Sequence, residues 1–155
     1  MSLDDWILAL HVLSGFAMAG TLVVYWVLIV AMRNIDNASD TIAYARVATL
    51  GNRVVIAGTV GTLVFGLWLA ISKPEYQPWD GWVIAAIVLW AILGEVGRRS
   101  GEYYTETQKL AESGGAGVEG EVLARLRGPT GVRLHYATVA VFLLLLLDMI
   151  FKPWA

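Results

Sequence analysis

Apolar positions in this chain fall in long runs, and the charged positions gather between them. Four stretches stand out, at 6–32, 54–72, 81–97 and 134–151. A helix needs roughly 20 mainly apolar residues to cross the hydrocarbon of a bilayer, and each stretch comes close to that length or exceeds it. Backbone groups in lipid must be satisfied within the segment, which makes an isolated span a helix. Barrel strands alternate apolar and polar residues, and these runs do not. The pattern therefore predicts an all-α fold: one polytopic membrane domain over 1–155, built as an antiparallel bundle of four transmembrane helices with loops at 33–53 and 98–133.

The punctuation agrees. Pro74 and Pro78 lie between spans two and three, Pro129 precedes span four and Pro153 follows it. Proline inside a helix costs about 3 kcal/mol, so its confinement to the connections supports these boundaries. The connection between spans two and three is short, which makes those helices antiparallel neighbours. Ser39 and Asp40 are suited to cap a helix that runs into span two. Span three continues as helix beyond the membrane through "RRSGEYYTETQKLAE", until "SGGAG" at 113–117 breaks it. "VEGEVLARLRG" reads either as a short helix with Val122, Leu123 and Leu126 towards lipid or protein, or as a solvated connector.

Composition changes the picture little. The 155 residues are 57% hydrophobic and 15% charged, with mean hydropathy +0.63. A soluble domain carries about 25% charged residues, so the balance favours a membrane protein. There is no cysteine, which excludes disulfides, Cys-ligated zinc, iron–sulfur clusters and thiol catalysis. No basic patch interleaved with aromatics suggests nucleic acid. The opening "MSLDDW" is acidic where a signal peptide is basic, and the run after it exceeds a signal peptide's apolar core; the first run reads as a permanent span.

Charge sets an expected orientation. Arg33, Arg46, Arg53, Arg98, Arg99, Lys109, Arg125, Arg127 and Arg133 flank the first and third loops, and only Lys73 and Lys152 lie on the other side. By the positive-inside rule both termini are outside and those loops are cytoplasmic, in a bacterial inner membrane. Trp6, Trp68, Trp79, Trp82 and Trp154 fall near the outer surface, as an aromatic belt would; Trp26 and Trp90 are exceptions.

Helices in lipid associate where small residues let backbones approach. Gly58, Thr62, Gly66 and Ala70 recur at four-residue spacing in span two, and His11, Gly15 and Ala19 do so in span one. Each set lines one face and is expected to pack on other helices. His11 and Asp148 both lie roughly 7–8 Å below the outer surface, from the ~1.5 Å rise per residue. An ionised carboxylate at that depth needs a partner or water, and His11 is the expected one. The pair admits three roles: a structural hydrogen bond, a haem or metal ligand steadied by a carboxylate, or a proton relay. A haem b held by His11 would find a second axial ligand only in Met149 or leave that position open, because His135 lies at the opposite face. No closed metal site is expected. Glu95, His135, Arg53 and Arg133 form a second polar group near the cytoplasmic face, read as interfacial charges that pair or snorkel. No residue set forms a recognisable catalytic constellation.

The stretches "WILALHVLSGFAMAG", "GNRVVIAGTVGTLVFGLWLA" and "WDGWVIAAIVLWAILGEVG" together resemble the bacterial predicted integral membrane proteins of domain-of-unknown-function family 2269. The first span is also similar to that of membrane-embedded protoporphyrinogen oxidases, which implies haem at His11, and to that of copper-resistance membrane proteins. The oxidases imply a lysine in a later span, where this chain carries Glu95; only His11 matches either pattern. The expectation is an integral membrane protein without an assigned activity. Its main reading is a structural or accessory subunit that packs with copies of itself or with other membrane proteins. A haem-associated redox protein and a small oligomeric transporter are the alternatives.

Overall fold

The computed structural model describes residues 2–72, 75–114 and 117–152. The expectations for Lys73, Pro74, Pro153 and Trp154, and for part of the "SGGAG" break, lie outside the described residues. Helix α1 spans Leu3–Arg33, α2 Asp40–Ser72, α3 Gly81–Ser113, α4 Val118–Arg127 and α5 Pro129–Phe151. Four helices are long and apolar enough to cross a membrane, consistent with a multi-pass membrane protein.

Local chemistry accounts for the helix ends. Ser2 and Asp5 form a reciprocal cap on α1: the Ser2 amide donates to Asp5 Oδ2 at 2.7 Å and the Asp5 amide to Ser2 Oγ at 3.2 Å. Two donors that the first turn leaves orphaned are thereby satisfied. Gly114, with φ of 57°, ends α3 in a conformation that disfavours a side chain. Pro129 opens α5 directly behind Gly128, where a missing N–H costs nothing.

Helix α2 begins at Asp40, next to the expected capping residues and well before the apolar run at 54, and α3 runs through the region expected as its extension. Each has 33 residues, or about 50 Å at 1.5 Å per residue, against a hydrocarbon thickness of about 30 Å. Both helices therefore project well beyond the apolar layer at one end. There α4 folds back against α3 and α1 and closes a cap. The stretch from 118 to 127 is a helix held by protein: Val122 and Leu126 are buried with Leu28, Met32, Ile35 and Ala38, and Leu123 packs against them.

The four long helices pack in a ring in chain order, all antiparallel to their neighbours. The α1–α2 and α3–α5 sides are closely packed, whereas the α2–α3 and α1–α5 sides are loose. Both described chain ends accordingly emerge at the end opposite the cap. Large apolar side chains such as Phe16, Val23, Ile56, Val60 and Leu144 lie exposed along the outer faces. Lipid matches such faces and water does not.

Candidate functional site

Along the α1–α2 seam the two helices approach closely. His11, Ser14 and Met18 lie along one face of α1, opposite Gly66, Gly61 and Gly58 on α2. A Cβ at Gly58 would stand 2.9 Å from the Ser14 carbonyl oxygen, and one at Gly61 would overlap Ser14 Oγ. A Cβ at Gly66 would fall 2.8 Å from His11 Cε1. Glycine is needed at these positions because the neighbouring helix occupies the space a side chain would take. Thr62 contributes twice: its hydroxyl donates to Met18 Sδ at 3.4 Å, and its carbonyl oxygen lies 3.1 Å from His11 Nδ1.

The expected packing stripe on α2 is thus present, with Gly61 added to it. On α1 the packing face differs from the expected one. A Cβ at Gly15 would meet nothing within 4 Å, and Ser14 and Met18 carry the contact instead. The missed signal was the 3–4–3 spacing of His11, Ser14, Met18 and Thr21, which follows one face more closely than a strict four-residue step.

His11 donates from Nδ1 to the Thr62 carbonyl, which leaves Nε2 as the nitrogen carrying the lone pair in the neutral ring. The expected hydrogen bond to Asp148 is not made. Asp148 is buried on α5, and its Oδ2 has no hydrogen-bond partner among the described residues. Met149 is not turned to His11 either; it packs with Ala70, Trp82 and Val83 and with the Met18–Leu145 cluster. Helix α5 ends just beyond Asp148. The Lys152 amide donates to the Asp148 carbonyl at 2.9 Å, and Lys152 Nζ donates to the Tyr76 hydroxyl while lying 4.0 Å from the centre of its ring. Trp82 joins this group as a buried residue rather than as part of an exposed belt, unlike Trp6, Trp68 and Trp79.

The cavity beside the seam, bounded by Thr62, Gly66, Trp82, Trp90, Leu145 and Met149, measures about 40 Å³. Ligand pockets of cofactor size run to several hundred Å³. Among the described residues no group of three His, Asp or Glu side chains converges to hold a metal ion.

The polar group expected near the cap end also disperses. Glu95 pairs along its own helix with Arg98 at 2.9 Å and Arg99 at 2.8 Å. His135 is buried and stacks on Trp26, with ring centres 5.4 Å apart at 26°. No hydrogen bond or ion pair joins Glu95, His135, Arg53 and Arg133 to one another among the described residues. Trp90, the other tryptophan away from the outer belt, donates from Nε1 to the Thr59 carbonyl at 3.0 Å and ties α3 to α2.

A larger concavity opens on the loose α1–α5 side, next to the cap. It encloses about 600 Å³ between Trp26, Val30 and Arg33 of α1 and Val132, Arg133 and Tyr136 of α5. Arg33 is held in place by its Nη1, which donates to the Gly128 carbonyl at 2.8 Å. No protein-family model matches this chain, and no curated protein or solved structure matches it.

Proposed function

We propose that the chain is a structural or accessory subunit of a bacterial inner membrane, with both termini outside, that packs against further transmembrane helices. The observation that supports this is a glycine stripe on α3. Gly94 and Gly97, at the end of the third apolar run, and Gly101 just beyond it share one helical face, all three are exposed, and a Cβ on any of them would meet nothing within 4 Å. Glycine in a helix is about 1 kcal/mol less favourable than alanine. At Gly58 and Gly66 the chain recovers that loss through contact with α1; on α3 nothing in the same chain uses the space. Small residues on an exposed membrane-helix face are how a second helix comes close. The loose α2–α3 side leaves this face accessible.

Gly94→Leu and Gly97→Leu test it. Native mass of the detergent-purified wild type should exceed that of one chain, through a second copy or a copurifying subunit, and the variants should fall to a single chain. A wild type that is strictly one chain with no companion, in mild detergent and in nanodiscs, refutes the proposal.

A further inference from the structure

We infer that the concavity between α1 and α5 is a binding site for one anionic phospholipid, with the lipid phosphate between Arg33 and Arg133 and the glycerol and upper acyl chain against Trp26, Val30 and Tyr136. Four observations lead there. The first is height. Arg33 stands one residue beyond the first apolar run, and Arg133 one residue before the last. The two guanidiniums thus sit where spans one and four leave the hydrocarbon, at the depth of lipid phosphates.

The second is charge. Among the described residues neither arginine has a carboxylate within 4 Å, although Arg98, Arg99, Arg125 and Arg127 all have one. A guanidinium presents donors in a planar fork that suits phosphate oxygens. Arg33 spends Nη1 on the Gly128 carbonyl, which orients the fork and leaves its remaining donors free.

The third is the wall below the charges. Val30 and Tyr136 are exposed, and Trp26 is fixed from behind by the buried His135 ring. An apolar wall under a cationic rim matches an amphiphile with an anionic head, and a free inorganic anion would use only the rim. Basic pockets between transmembrane helices are known to take anionic head groups. The fourth is the volume: about 600 Å³ is enough for a head group, glycerol and the first methylenes. It also explains why the α1–α5 side is loose, because this gap is where lipid replaces protein.

The test uses the full chain in micelles doped with equal amounts of phosphatidylglycerol and phosphatidylcholine of the same acyl chains, read by native mass spectrometry. Wild type should retain phosphatidylglycerol in preference by about fivefold or more, the scale of one arginine near a lipid surface. Arg133→Gln should bring the two lipids to near parity. Arg133 makes no hydrogen bond or ion pair with the described residues, so this variant should fold as the wild type does. Arg98→Gln with Arg99→Gln, which removes charge at the same end but outside the concavity, should leave the preference intact. Tyr136→Ala should reduce retention of both lipids. An unchanged preference in Arg133→Gln, an equal loss in the Arg98/Arg99 control, or displacement of the lipid by excess inorganic phosphate would each overturn the assignment.

Discussion

The cap and the spans of this molecule are built from the same helices but packed to different standards. In the cap, Val122 and Thr107 are completely buried, at 0% exposure, and tyrosines are wedged between α3, α4 and α5. In the spans, comparable valines such as Val60 remain 51% exposed, and close approach occurs along glycine seams. The difference follows from the surroundings. Water drives apolar groups together at roughly 25 cal/mol per Å². Lipid provides no such force, so only shape and hydrogen bonding hold the spans. A single helix can therefore cross from one regime to the other, and the same residue type changes its worth along the way.

Substitutions should expose that change in worth. The largest contrast should come from truncation of one valine in each part. Val122→Ala should destabilise the protein by about 2 kcal/mol, from lost burial and the void left behind. Val60→Ala should move it by only a few tenths of a kcal/mol, because the lipid closes over the change. Thermal unfolding of the two variants in the same bilayer mimic checks this, and equal losses would mean that α2 is as firmly packed as the cap. Next in size is the glycine seam. Gly58→Leu should cost about 1–3 kcal/mol, since it meets the Ser14 carbonyl oxygen, a backbone atom that cannot swing aside as the Met18 side chain can. Gly20→Leu, which faces open space, should leave the stability of a single chain unchanged.

The smallest effect concerns pH and only the cap. Burial pushes the Tyr103 and Tyr104 hydroxyls above their ordinary pKa of 10.0. Each is held neutral in the fold, while in the unfolded chain it ionises near that ordinary value. The folded state therefore binds more protons above pH 10, and stability present below that point is lost as pH rises towards the folded pKa. Tyr104→Phe should flatten the alkaline fall in melting temperature. An alkaline fall as steep as in the wild type would assign it to other groups.

Much of the fold was legible in the sequence. The apolar runs located the four long helices, Pro129 marked the start of α5, and Gly114 marked the end of α3. The early start of α2 was marked by the capping residues Ser39 and Asp40 and not by hydropathy, because "AYARVATLGN" is not an apolar run. The candidate site was less legible for a geometric reason. Counting residues from a membrane surface gives the depth of His11 and Asp148, and depth says nothing about which way each side chain turns around its helix. His11 turns to α2, where the Thr62 carbonyl receives it. Trp26, an exception to the expected belt, lines the arginine-rimmed concavity next to the cap.

Helices α2 and α3 pass from the spans into the cap without a proline or an irregular turn. An unbroken α-helix resists bending, so each behaves as one stiff rod through two media. About two-fifths of either rod, roughly 20 of 50 Å, exceeds the hydrocarbon thickness and acts as a lever arm. A load applied to the α4 hairpin would be transmitted as torque to the buried segment, tilting it as a unit instead of flexing at the boundary.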